Sequence, residues 1–346
     1  MSRTLLRFVC VIGLAVPVAW FSAHGAGLSA WQSNAWTLVL ERPIVGKYED
    51  FAFPDAKHGW LVSARGDILN TTDGGTTWTQ QASGKGGLRS VDFLDDHRGF
   101  AGSISGVLYG TTDGGVTWTD ITKSLPRPTK GFCGMTHVGE HVHIVGKYTG
   151  GAADYYFSPD GGKTWRDTNL LSLAQGLVDV MFVNQSVGFI GGMSVTGPAG
   201  QGPAVILKTT DGGKNWHTVF THDGGRGFVW KLWPISATLI YASLQSQDGT
   251  HRIAKTTDGG DTWQVLTVAT GQAQGPGIQG IGFLDENTGW VGGFFPGMFM
   301  TKDAGRTWTQ VQMSDRTINR FEKVNGTLIT AGTRGILRYE PPATRR

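Results

Sequence analysis

Between residues 88 and 119, apolar and polar positions alternate in short bursts rather than at helical spacing. Val91 and Phe93 lie on one side of a run that ends in the polar turn Asp95-Asp96-His97-Arg98. A second run opens with Gly99-Phe100 and ends in glycines, a third leads into TTDGGVTW at 111–118, and a fourth leaves from Trp118. Period-two alternation broken by Gly, Asp and Asn predicts four short strands joined by tight turns. The order returns at 278–309, with Ile281 and Phe283, then Asp285-Glu286-Asn287-Thr288, then Gly289-Trp290, then TKDAGRTW. No stretch carries sustained helical periodicity between helix caps.

The octet is the most regular part of the unit. Beside 111–118 and 301–308 it is spelled TTDGGTTW at 71–78, SPDGGKTW at 158–165, TTDGGKNW at 209–216 and TTDGGDTW at 256–263. Each copy places an acid (Asp73, Asp113, Asp160, Asp211, Asp258, Asp303) at a turn, where its carboxylate accepts backbone N–H groups. The glycines that follow tolerate φ > 0, the flanking Ser/Thr residues are expected to pair across the hairpin, and the Trp buries a large ring against the neighbouring unit. The six acids therefore read as turn braces. Four strands recurring every 40 to 50 residues or so describe a β-propeller blade.

Six octets do not limit the ring to six blades. Residues 318–340, INRFEKVNGTLITAGTRGILRYE, supply three further strands without an octet, and Trp36-Thr37-Leu38-Val39 copies the strand that leaves each octet. The expectation is an all-β, seven-bladed propeller over residues 34–340, its last blade closed by pairing 36–41 with 335–340. Closure also removes the open sheet edges of a linear array. Before it, Arg3, Arg7 and the apolar run 8–21 predict a signal peptide over 1–25, with 26–33 as a short linker and 341–346 as a tail. The run is shorter than a membrane span and contains Pro17.

The pattern S/T-x-D-x-G-x-T-W matches the Asp-box, or bacterial neuraminidase repeat. With VDFLDDHRGFAG (91–102), VMFVNQSVGFIGG (180–192), IGFLDENTGWVGG (281–293) and TAGTRGILRY (330–339), the chain resembles the photosystem II stability/assembly factor family over about residues 34–340. That resemblance implies a seven-bladed propeller of a lumenal or periplasmic compartment, without known catalytic activity, that helps membrane subunits assemble. It also implies an arginine patch on one face as the partner surface. Arg89 and Arg226 precede inner strands, Arg320 begins one, and Arg65 and Arg334 sit in matching Arg-Gly turns; since repeat-equivalent positions share a face, the five are expected to cluster. Guanidinium groups suit bidentate capture of carboxylates, so the expected client is a membrane or periplasmic protein with an acidic surface. Blades three and five lack the F-x-D-x-x-x-G-W signature, and Gly-rich insertions at 148–154, 196–203 and 245–251 depart from the family pattern.

Composition narrows the remaining classes. The formal charge of +3 falls to about +1 without Arg3 and Arg7, which gives no nucleic-acid footprint. Of the two cysteines, Cys10 lies in the expected leader, so no intrachain disulfide is expected for Cys133. The alternative reading is a sialidase-like glycoside hydrolase, which needs carboxylates outside the boxes. Only six Glu occur (Glu41, Glu49, Glu140, Glu286, Glu322, Glu340), and glycine-dominated inner strands leave little room for an acid/base pair. Cys133, His137, His141 and His143 match no standard metal-ligand spacing and read as packed or exposed histidines. The chain is thus read as a monomeric, non-enzymatic interaction protein needing neither cofactor, metal nor small-molecule substrate.

Overall fold

The structure, a computed structural model, describes residues 35–42, 47–146, 153–224, 226–272, 277–313 and 317–341. The expected leader and linker, most of the first insertion and the end of the tail lie outside the described residues. Within them, 28 strands form seven four-stranded antiparallel sheets, with one short 3-10 turn at Thr122–Ser124. Blade 1 spans 48–82, blade 3 134–169, blade 4 174–222, blade 5 229–269 and blade 6 278–311. Blade 2 shows the plan: Leu88–Phe93, Gly99–Ser103, Leu108–Thr111 and Thr119–Asp120 pair in that order, from the axis outward. Blade 7 takes Arg320–Val324, Thr327–Ala331 and Gly335–Tyr339 from the C-terminal end of the chain, and Trp36–Glu41 as its outer strand. Trp36 pairs with Tyr339 and Glu41 with Gly335, with a slip between Leu38 and Leu40, so the two segments expected to close the ring do pair.

The box turns are held by one repeated circuit. In blade 2, Thr111 Oγ1 donates to Asp113 Oδ1 (2.8 Å), Thr117 N donates to the same oxygen (2.9 Å), and Thr117 Oγ1 donates to Oδ2 (2.6 Å). Gly115 N returns to Thr111 Oγ1 at 2.9 Å. The two threonines therefore meet on the carboxylate and not on each other, which corrects the expected cross-hairpin pair. Asn215 replaces the second Thr in blade 4 and donates to Asp211 Oδ2 at 2.7 Å. The second box glycine has φ near +85° at Gly75, and a Cβ at its blade-2 counterpart Gly115 would stand 2.7 Å from Gln81 Oε1. Box six departs from the rule, since Ala304 holds the preceding position at φ +62°.

Blades lock together through aromatic rings. Phe93, from the F-x-D motif, stacks on Trp60 of blade 1 (3.5 Å between centroids) and receives the edge of its own box Trp118 (5.8 Å). Tyr241 on Phe283 (3.8 Å), with Trp308 edge-on, repeats the arrangement between blades 5 and 6. Such pairs add to the area that each ring buries. At the closure, Trp36 meets Trp290 of blade 6 edge-on (5.6 Å) and contacts Tyr339 (5.5 Å), so it buries as a box Trp would.

Candidate partner-binding face and axial channel

Hairpin topology assigns every loop to one of two faces. Inner strands start at the upper face, which also carries the turns between second and third strands. The opposite face carries the boxes. Arg65, Arg226 and Arg334 lie in upper-face turns, and Arg89 and Arg320 lie on inner strands near that end. Arg65 and Arg226 are exposed, and neither pairs with a carboxylate among the described residues. Arg334, half-exposed, stands 3.6 Å from Glu41.

Arg89 and Arg320 behave differently, because carboxylates meet them. Arg89 Nη1 approaches Glu49 at 3.2 Å and its guanidinium lies over Trp230. Arg320 is one step deeper along the axis: Nε is 2.9 Å from Asp50, Nη2 3.3 Å from Glu322, and Nη1 4.0 Å from Asp179. These neighbours hold its pKa above the usual guanidinium value against the cost of burial. Arg320 is therefore part of a buried charge network rather than an exposed patch.

One backbone device builds the upper end of the channel. Ladder register slips between Tyr48 and Asp50, Leu88 and Ser90, Leu177 and Asp179, Val229 and Leu232, and Ile278 and Gly280. The slip falls at the same place in five inner strands, and such bulges re-aim side chains. Glu49, Arg89, Cys133, Val178, Trp230, Gln279 and Asn319, one from each blade, surround a gap of only about 10 Å³. Lys47 caps it, donating to Gln279 Oε1 (3.0 Å), 3.4 Å from Glu49 and over the ring of Phe294. Burial, with Arg89 adding to it and Glu49 opposing, lowers the Lys47 pKa to about 8.

Below this plug the channel widens into a pit of about 400 Å³ that reaches toward the box face. Its floor holds Asp179 and Arg320, with Glu322 beside them; its wall includes Met135, Met181, Leu232, Trp233 and Phe283. Lys231 Nζ is 3.1 Å from Asp179, and Leu232 N donates to the other Asp179 oxygen at 2.9 Å. Burial, reinforced by Asp50 and Asp92 and partly offset by Arg320, raises Glu322 to about 7. The expectation of glycine-dominated inner strands does not hold here. Asp50, Asp92, Asp179 and Glu322 face the axis, and counting only glutamates missed three of them. Aligning the inner strands tier by tier is the signal that finds them.

The Cys/His group is not brought together as one site. Cys133 is in the plug, His137 Nδ1 lies 2.9 Å from Asp92 Oδ2, and His143 is fully buried. His143 stacks on Phe182 at 3.6 Å, the place that Trp60 and Tyr241 take in other blades, and its Nδ1 bonds Tyr155 Oη at 2.7 Å. Burial lowers its pKa to about 3, so it is a neutral ring of the core. His141 packs edge-on to Phe157.

Comparison with known proteins supports this architecture. The "Photosystem II stability/assembly factor HCF136, chloroplastic" of Guillardia theta is 44% identical over 48 residues, covering 13% of this chain and 12% of that one. The "Photosystem II assembly lipoprotein Ycf48" of Prochlorococcus marinus is 46% identical over 52 residues, covering 14% and 15%. The chain thus spans less than a sixth of the length of these curated relatives in the matched segments. Among solved structures, YCF48 from Cyanidioschyzon merolae superposes with a TM-score of 0.67 at 20% identity, over 89% of this chain and 99% of that one. YCF48 bound to D1 peptide superposes at 0.63 and 18% identity, over 90% and 98%. A GH74 enzyme of Niastella koreensis reaches 0.59 at 18%, over 85% of this chain and 51% of the enzyme. At such identities the superpositions speak for the fold. The family profile described as "Photosynthesis system II assembly factor YCF48" matches residues 28–142 and 248–326, more than half of the chain. With seven blades, box turns and an N-terminal closing strand in place, the chain belongs to that family.

Proposed function

We propose that this protein is an exported, monomeric, non-enzymatic assembly factor that holds an acidic segment of a membrane-protein client against its upper face. One observation carries the reading: exposed apolar side chains gather on the face that bears Arg65 and Arg226. Of the four large exposed hydrophobics among the described residues, Leu171, Val195 and Phe294 lie in upper-face loops and only Val116 on the box face. Apolar side chains on the face that also carries two exposed guanidiniums fit an acidic peptide segment, with Arg65 and Arg226 steering it and Phe294 as its apolar anchor. Family membership supports the assembly role, and the relative solved with a D1 peptide supports a peptide-like client.

The test is co-purification of client from solubilised membranes with wild type and with Arg65→Glu/Arg226→Glu. Reversal is expected to abolish capture while leaving the melting temperature within about 1 °C, since exposed charges contribute little to stability. Retained capture by the double variant would overturn the reading. A hydrolase reading draws on the axial carboxylates and the GH74 likeness. It predicts turnover of sialosides or glucans that Glu322→Gln abolishes, whereas the assembly reading predicts no turnover in either protein.

A further inference from the structure

The axial pit is closed at its upper end, so it forms a site separate from the upper face. Its floor is crowded with acid. Around the Arg320 guanidinium stand Asp50, Asp179 and Glu322, and Asp179 also pairs with Lys231. Behind them Asp92 pairs with His137. Facing Glu322 are Arg320 and Lys323 from its own strand, Asp50 from blade 1, Asp92 and His137 from blades 2 and 3, Asp179 and Lys231 from blades 4 and 5, and Asp285 from blade 6. Lys323 also lines the pit, and its ammonium donates to the carbonyl of Leu284 at 2.6 Å. Five carboxylates, Asp50, Asp92, Asp179, Asp285 and Glu322, thus face four basic groups, Arg320, Lys231, Lys323 and His137. The Asp50–Arg320 contact adds to this, because Asp50 Oδ1 and Arg320 Nε lie 2.9 Å apart yet are aligned for no hydrogen bond. The wall above is apolar, adaptable and aromatic, with Met135, Met181, Leu232 and Trp233.

We infer that the pit is a binding site for a single cationic head on an apolar stem, a primary ammonium such as a lysine side chain, held between Glu322 and Asp179. The stem lies along the two methionines, whose thioethers adapt to its shape, and the indole face of Trp233 is suited to a cation. The head completes the compensation of the floor, which the resident cations leave short. The occupant enters from the box face, so this site stands independently of the proposed upper-face client. Because Glu322 is raised to about 7, part of its population is neutral near that pH, and an arriving ammonium releases its proton.

Calorimetric titration of the full chain tests this with three probes: a tripeptide with central lysine and blocked ends, the same peptide Nε-acetylated, and 1-aminopentane. The lysine peptide or the aminopentane is expected to bind, and the acetylated peptide is not. Which of the two binds identifies the source as a protein side chain or a free amine. Below about pH 7, affinity is expected to rise up to about tenfold per pH unit, with proton release seen as a dependence of the heat on buffer ionisation. Glu322→Gln is expected to weaken binding about tenfold and flatten its pH profile. The proposal is overturned if neither amine binds, if acetylation changes nothing, or if Glu322→Gln leaves affinity and pH profile intact. Should that variant fail to fold, proton release by the wild type decides, and binding without it counts against the proposal.

Discussion

The rim and the axis of this propeller use the same repeat in opposite ways. At the rim, all six boxes spell the same circuit, Ser/Thr to Asp to Thr or Asn, with the donors within about 3 Å of the carboxylate. At the axis, one equivalent position, bulged in five of the seven blades, carries Glu49, Arg89, Cys133, Val178, Trp230, Gln279 and Asn319, no two alike. Identical residues mark what holds the outer hairpin of six blades; differing residues mark where blades are free to serve something else. Perturbing the rim should cost stability and leave binding intact, and perturbing the arginine-bearing upper face should do the reverse.

The largest effect is expected at the seam. Removing residues 1–41 takes away the outer strand of blade 7 and leaves Gly335–Tyr339 as an open edge. Such a chain is expected to aggregate on expression, read by sedimentation and gel filtration. A soluble, folded monomer would show that the ring closes without Trp36–Glu41.

Next comes the box itself. Trp118→Ala is expected to cost about 3–5 kcal/mol in chemical denaturation, as for other large-to-small changes in a packed core. Asp113→Ala should lower the midpoint less, because its partners are solvent-exposed turn groups. Neither should alter client capture by the residual folded protein. Equal and negligible effects would deny the box its structural role.

Acid should act on the rim collectively. Hydrogen bonds from the Thr117 hydroxyl and N–H and from the Thr111 hydroxyl hold Asp113 at about 2, and Thr307 and Thr301 do the same for Asp303. Asp211 is held at about 2 by Asn215 and Thr209. A carboxyl depressed below its ordinary 3.8 contributes stability fully present above that pH and lost as pH falls through the folded value. The melting temperature should accordingly fall between about pH 4 and pH 2, and that fall should shrink in Asp113→Asn. A flat profile across that window would contradict the circuit.

The smallest effect should have the opposite sign. Ala304 occupies a left-handed conformation that a glycine holds in the other boxes. Ala304→Gly should stabilise by about 0.5–1 kcal/mol in chemical denaturation, relief of Cβ strain outweighing the added freedom of the unfolded chain. Destabilisation would place other contacts of the Ala304 methyl above backbone strain.

Much of this fold was legible because its signals are local and repeated. Octet spacing, the Gly-aromatic strand openings and the echo of Trp36-Thr37 led to seven blades and to the pairing of the closing strand with the last one. The axis was less legible. Whether Arg320 meets solvent or Asp50 depends on a partner some 270 positions away, and no spacing encodes that. Bulges at Glu49 and Arg89 shift the alternation by one residue, so a strict period-two reading misplaces the side chains that face the channel. His143 was ambiguous for another reason: an imidazole can take the stacking place of Trp60 only where a ring awaits it, and that ring, Phe182, comes from the next blade.

The central claim is that client meets the upper face. Phe294 and Val116 are both exposed apolar side chains, 46% and 73% accessible, on opposite faces of the ring. A photo-crosslinking residue at each position, irradiated with solubilised membranes, compares the faces directly. The account predicts a client adduct from position 294 that is lost with Arg65→Glu/Arg226→Glu, and none from position 116. An adduct from position 116 alone, or one from 294 indifferent to the arginines, would contradict it.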